Sequence, residues 1–94
     1  MDILTKKQKE LYDSFYESTH HNEHLDSKTE LLIGLSAAIA LSCEPCVSDY
    51  LKKAKQANIS KGEISETLAK VMAVAAGQKR LQFQDVINEY EINL

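Results

Sequence analysis

The chain has 94 residues, 44% of them hydrophobic, and a formal net charge of −3. This length suits a single domain over residues 1–94, and the apolar content excludes a disordered protein. Its eleven Lys and Arg are scattered among fourteen acids, which excludes the basic surface that nucleic acid binding requires.

No segment has the pattern of a membrane span or a secretion signal. The longest apolar run, LLIGLSAAIAL at 31–41, is well below the roughly 20 residues that cross a bilayer. The lysines near the N-terminus are not followed by the apolar segment of a signal peptide. We therefore expect a cytoplasmic protein with no membrane partner.

The residue pattern predicts an all-α fold of about five helices. The chain has three glycines and one proline, and it shows no sustained alternation of period two. A first helix is expected from Leu4 to about Thr19, because Leu4, Leu11 and Phe15 share one face. The polar segment HHNEH at 20–24 then interrupts it.

The next two helices are predicted from their start signals. Ser27 and Glu30 have the spacing of a capping box, and the helix that begins there is apolar on nearly every side, so it should be the central element. Ser42 suits the N-cap of a third helix and Pro45 its first turn. This third helix should run to about Ala57.

Two more helices are expected in the last third of the chain. Ser60 and Glu63 repeat the capping-box spacing, and apolar residues come after them at three- and four-residue steps. Gly77 is a plausible stop or kink before a fifth helix. Glu89 and Glu91 are unfavourable for the dipole at the end of that helix, so the end should fray or pack on a neighbour.

Both cysteines fall in the stretch ALSCEPCVSDYLKKA at 40–54. Cys43 and Cys46 are three residues apart at a predicted helix start, so their sulfurs can bond without unwinding the helix. The helix start stabilises a thiolate, whereas Glu44 and Asp49 oppose it as nearby negative charges. In a reducing compartment such a close pair indicates a catalytic or metal-binding role.

Two other interpretations of these residues remain open. The cysteines could be small apolar residues packed on the inner face of a helix. His20 and His24, four residues apart, could also join Cys43 and Cys46 in a zinc site of two cysteines and two histidines. Taken alone, the histidines equally suit a polar helix end.

The segment from 25 to 77, LDSKTELLIGLSAAIALSCEPCVSDYLKKAKQANISKGEISETLAKVMAVAAG, resembles the carboxymuconolactone decarboxylase and alkyl hydroperoxidase D family. The shared pattern is a hydrophobic helix, C-x-x-C, a helix, a short loop and a helix that begins E-I-x-E. The resemblance implies an all-α fold that assembles into trimers or hexamers.

The resemblance also implies roles for site residues. In redox-active members the second cysteine, here Cys46, attacks peroxide, and the first, here Cys43, resolves it as a disulfide. The family's proton relay uses a Glu and a His, and the corresponding positions hold Leu31 and Tyr50. A Tyr hydroxyl can donate a hydrogen bond to a thiolate but is a poor proton acceptor at neutral pH, so fast peroxidase turnover is not expected. Lactone decarboxylation is not expected either, because the decarboxylase uses a different site without the cysteine pair.

We therefore predict a hydroperoxidase D-like homo-oligomer, trimer or hexamer, that acts as a thiol–disulfide oxidoreductase or weak alkyl hydroperoxidase. Cys43, Cys46 and Tyr50 are the candidate catalytic residues, and no cofactor is expected. Thiols, lipoyl groups or a peroxiredoxin are the partners that the resemblance suggests. Helix-start geometry nominates Cys43 as the attacking sulfur and the resemblance nominates Cys46, which we favour. The alternative function is a non-enzymatic helical module for oligomerisation, either redox-inert or zinc-binding.

Overall fold

The computed structural model describes residues 3–91 and confirms the all-α prediction. Four helices succeed one another, and residues 3–91 contain no strand: α1 Lys6–Ser18, α2 Ser27–Ala40, α3 Glu44–Gln56 and α4 Lys61–Glu89. The C-x-x-C segment lies at the start of the third helix, as predicted.

The expected fourth and fifth helices are one continuous helix, so the predicted break at Gly77 is wrong. A glycine inside a helix costs about 1 kcal/mol relative to alanine, which lowers helix stability without ending the helix. Alanines precede Gly77 and good helix formers come after it, so the helical hydrogen bonds continue through this position.

The helix starts agree in part with the capping boxes in the sequence. Ser60 and Glu63 form the expected reciprocal box at the start of α4. At α2 the expected box of Ser27 and Glu30 does not form. Asp26 is the N-cap instead, and its carboxylate accepts a hydrogen bond from the Thr29 amide at 2.7 Å. An N-cap side chain bonds the amide three residues on, so the earlier Asp makes Ser27 the first helical residue.

Helix α2 is the central element, as its apolar composition predicted. It packs closely against α3 on one side and α4 on the other, and its buried residues are Leu35 and Ala38. The remaining buried hydrophobic residues among 3–91 are Tyr50, Ala54 and Ile59. An ion pair of 2.9 Å between Lys28 and Glu63 joins the starts of α2 and α4, which run side by side in the same direction.

The chain is extended for its length. Its radius of gyration is 18.1 Å, whereas a compact domain of this length has about 12 Å. Helix α1 makes no close backbone approach to the other helices of residues 3–91. Many apolar side chains on α1 and α4 are consequently exposed. Within the described part of the chain, no helix combines the length and apolar composition needed to cross a membrane.

Candidate functional site

The two cysteines form a disulfide at the start of α3. Cys43 is the N-cap, Cys46 is the third helical residue, and their Cα atoms are 5.2 Å apart. Both side chains are half-buried. Cys46 packs against a core cluster of Leu35, Ala38 and Tyr50. The pair therefore lies where the end of α2 meets the first turn of α3.

A three-residue connection between α2 and α3, residues 41–43, holds this geometry. Ser42 has a left-handed backbone with φ of 56°, and its amide donates to the Ile39 carbonyl at 3.0 Å. The Cys43 amide donates to the Ala38 carbonyl at 2.9 Å. This is a Schellman motif, which satisfies the last carbonyls of α2.

Cys43 has a role in both helices. Its amide closes α2, and its carbonyl accepts from the Val47 amide at 2.9 Å in the first hydrogen bond of α3. The prediction that Ser42 is the N-cap of α3 is therefore wrong. Ser42 lies in the left-handed position that ends α2, and its neighbour Cys43 is the N-cap.

Tyr50 is the third predicted site residue, and it is 8% exposed. Its ring lies directly against Gly34 of α2, so that a Cβ added at residue 34 would overlap the ring carbons. The hydroxyl oxygen would be 2.7 Å from that Cβ. Gly34 lies one helical turn closer to the start of α2 than Ala38 does. The Tyr50 hydroxyl, which lies against Gly34, is therefore directed toward the start of α2, whereas the disulfide lies at the end of α2.

The pKa of Tyr50 is raised well above its usual value of 10.0. The main cause is hydrogen bonding with the side chain of Tyr16 in α1, followed by burial. The negative charges of Glu30 and Asp49 raise this pKa further. Because a raised pKa keeps the phenol protonated, Tyr50 can donate a hydrogen bond but cannot act as a base at neutral pH.

Glu30 therefore lies in the electrostatic environment of Tyr50 and not in a capping box. It precedes Gly34 by four residues, which places both on the same face of α2. On the α3 side, Lys53 lies with its Nζ 5.5 Å from the centre of the Tyr50 ring and pairs with Asp49 at 3.0 Å. Tyr50 is thus surrounded by groups from three helices.

The proposed zinc set is not assembled. His20 Nδ1 lies 3.0 Å from the Tyr16 carbonyl and its ring packs edge-on against Tyr16, with ring centres 4.8 Å apart. His24 is exposed beside Glu23. Among residues 3–91, no three His, Cys, Asp or Glu side chains are placed to hold a metal ion. The sulfurs of Cys43 and Cys46 are bonded to each other instead.

A groove of about 680 Å³ lies between α2 and α4. Its α2 side is lined by Ile33, Ser36, Ala37 and Ala40. These residues lie on the opposite side of α2 from Gly34, Leu35 and Ala38, which face α3. The groove is therefore separated from the disulfide by the body of α2.

The sequence matches a known protein family, and the fold matches a solved structure. Residues 6–87 match the carboxymuconolactone decarboxylase family. The fold is similar to that of a crystal structure of a protein from Methanobacterium thermoautotrophicum, with a TM-score of 0.80 and 24% sequence identity. That match covers 85% of this chain and 90% of the other. No curated protein matches the sequence significantly. Because the family match covers most of the sequence, this chain belongs to the carboxymuconolactone decarboxylase family.

Proposed function

We propose that the chain is a thiol–disulfide oxidoreductase that cycles Cys43 and Cys46 between a dithiol and a disulfide. The observation that supports this most directly is the bonded pair at a regular helix start. Because α3 keeps its first-turn geometry with the bond in place, little rearrangement is needed between the two redox states.

Cys43 is the attacking sulfur in this proposal. A thiolate at an N-cap accepts hydrogen bonds from the second and third helical amides, and the second helical residue here is Pro45, which has none. The amide of Cys46 is then the donor available to the Cys43 thiolate, and the helix dipole adds to the stabilisation. This order reverses the one that the family resemblance implies and that we favour from the sequence; the change rests on Cys43 being the N-cap of α3.

The reaction consists of two exchanges of sulfur bonds. The Cys43 thiolate attacks one sulfur of a substrate disulfide, forms a mixed disulfide and releases the first substrate thiolate, which takes a proton from solvent. Cys46 then loses its proton and attacks Cys43, which releases the second substrate thiol and forms the internal disulfide. The substrate gains two electrons and the cysteine pair loses two. A thiol or lipoyl dithiol would reduce the pair again, and a peroxiredoxin disulfide is a candidate substrate.

Peroxide reduction is expected to be slow in comparison. Attack on a peroxide requires a group that accepts the thiol proton, and the Tyr50 phenol stays protonated because its pKa is raised, chiefly by hydrogen bonding with Tyr16. We propose that Tyr50 positions α3 on α2 and does not take part in proton transfer. Of the two oxidoreductase functions, alkyl hydroperoxidase is therefore the weaker candidate, and disulfide exchange is the stronger one.

Redox titration with thiol counting tests the proposal. A reversible two-electron couple, with no free thiols in the oxidised form and two in the reduced form, is the expected result. Thiols that stay unreactive in the folded protein would favour the non-enzymatic oligomerisation module.

The order of attack is tested separately with single serine variants. With Cys43 as the attacker, Cys46→Ser should rapidly form a stable mixed disulfide with a small aromatic disulfide, and Cys43→Ser should react slowly. Faster trapping by Cys43→Ser would make Cys46 the attacker, as in the family's peroxide-reducing members.

A further inference from the structure

The second half of α4 extends beyond the rest of the protein. Helices α2 and α4 run side by side from their starts, and Ala40 at the end of α2 lines the same groove as Gln78. The eleven residues from Lys79 to Glu89 continue past this point, over about 16 Å of helix axis. In the described part of the chain, α2 is the helix that approaches α4 closely.

This extension carries an apolar stripe that no element of residues 3–91 covers. Phe83, Val86 and Tyr90 recur at three- and four-residue steps and are each about half or more exposed. Ala75 and Val71, which face α2, lie within about 20° and 60° of Val86 around the helix, so the stripe continues the α2-facing side of α4 past the end of α2. Most helical stability in proteins comes from the packing of an apolar face, so the stripe is suited to a partner surface.

The charges on the extension indicate which partner fits. Lys79 and Arg80 lie at its beginning, and Glu89 and Glu91 lie at its end. When two copies of the segment run antiparallel, the basic end of each meets the acidic end of the other, and each attraction occurs twice. Parallel copies would place like charges together.

We propose that the second half of α4 pairs antiparallel with the same segment of a second copy of this chain, around a two-fold axis. Phe83, Val86 and Tyr90 form the apolar centre of this interface, and the charged ends set its direction. The inference goes beyond the proposed redox function and does not depend on it. It also explains the acidic end of α4, which the helix dipole disfavours in an isolated chain.

Helix α1 of a second copy is the other surface that could cover the stripe. Its apolar residues Leu11 and Phe15 are 63% and 67% exposed. The three acids of α1, Glu10, Asp13 and Glu17, all lie more than about 100° around the helix from this face, so they could not reach Lys79 or Arg80 across an apolar contact. The α4 segment, by contrast, is complementary to itself. A two-fold pairing also fits a hexamer built from three such pairs and does not fit an isolated trimer.

Charge reversal on one end at a time tests the pairing. The first variant is K79E/R80E, whose extension is acidic at both ends, and the second is E89K/E91K, whose extension is basic at both ends; both variants keep Asp85 in the middle. In each variant alone, two copies repel one another. We expect the mass measured by sedimentation to halve and the dissociation constant to rise at least about tenfold.

An equimolar mixture of the two variants is the decisive experiment. The two acidic ends of one variant can pair with the two basic ends of the other, so the mixture should recover the wild-type mass. Pairing with α1 predicts unchanged assembly of each variant alone, because the charges of α1 do not reach those of the extension. Failure of the mixture to assemble, or unchanged assembly of each variant alone, would overturn the proposal.

Two controls separate assembly from folding. Circular dichroism should show wild-type helix content in each variant, since the four positions are exposed. K52E/K61E reverses two exposed charges on other surfaces and should keep the wild-type mass. A wild-type chain that remains monomeric at the highest concentration would also contradict the inference.

Discussion

Gly34→Ala should destabilise the protein although alanine is the better helix former. The new Cβ would overlap the ring of Tyr50 and lie 2.7 Å from its hydroxyl oxygen. Overpacking of a core costs about 1–3 kcal/mol, and a clash with three atoms of a buried ring belongs at the upper end of that range. Alanine recovers about 1 kcal/mol of helix propensity. We therefore expect a net loss of about 2 kcal/mol.

Thermal unfolding at one fixed protein concentration measures this effect. For a domain of this size, a loss of about 2 kcal/mol lowers the melting temperature by roughly 10 °C. Gly77→Ala is the matched control, because a Cβ at residue 77 meets no atom within 4 Å and its helix simply gains propensity. That variant should be more stable than the wild type by up to about 1 kcal/mol.

A second background isolates the role of the ring. In Tyr50→Leu the side chain is shorter, so adding Gly34→Ala should cost little or should stabilise the protein. Our account of how α3 packs on α2 would be refuted if Gly34→Ala were as stable as Gly77→Ala in the wild-type background. It would also be refuted if Tyr50→Leu failed to reduce the penalty.

Four other substitutions test separate parts of the structure. Folding raises the pKa of Tyr50, chiefly by hydrogen bonding with Tyr16, so the contribution of this phenol to stability is present below pH 10.0 and is lost as pH rises further. In denaturant titrations above that pH, the free energy of unfolding of Tyr50→Phe should therefore fall less steeply with pH than that of the wild type. The same fall in both proteins would contradict this. The hydrogen-bonded ion pair with Lys28 is the main cause that lowers the pKa of Glu63 from 4.5 to about 2, so the contribution of Glu63 to stability is lost as pH falls from 4.5 to about 2. In Glu63→Gln the free energy of unfolding should fall less over this pH range than in the wild type. An unchanged fall would disprove this. His24→Ala should alter neither the melting temperature nor the metal content, and release of one equivalent of zinc would revive the zinc site. Ser42→Gly should raise the free energy of unfolding by up to about 1 kcal/mol, because glycine adopts the left-handed backbone without strain. A loss of stability in this variant would contradict the strain at Ser42.

The local features of the fold were predictable because their signals are local. The capping box at Ser60 and the position of the cysteines at the start of α3 depend on residues within one helical turn. Two caps were misassigned for a physical reason. Asp26 and Ser27 are both good N-caps, and the sequence does not rank neighbours. Ser42 is also a good N-cap, but it occupies a left-handed position that serine seldom adopts.

The surroundings of Tyr50 could not be predicted because they depend on tertiary packing. Tyr16, Glu30 and Gly34 come from two other helices, and no spacing in the sequence joins them to α3. One signal was available in Gly34, since a glycine inside an apolar helix often marks a close approach by another element. The disulfide itself was expected from the three-residue spacing on a helix start.

The connection between α2 and α3 constrains how the length of this protein can vary. Cys43 closes one helix and opens the next, so no spare residue lies between them. One inserted residue would rotate α3 about its axis by about 100° relative to α2, which would turn Cys46 and Tyr50 away from the face of α2 that they now contact. The segment from Thr19 to Asp26, between α1 and α2, has no such double role. Insertions and deletions should therefore be tolerated between α1 and α2. Between α2 and α3 they should disrupt the disulfide site.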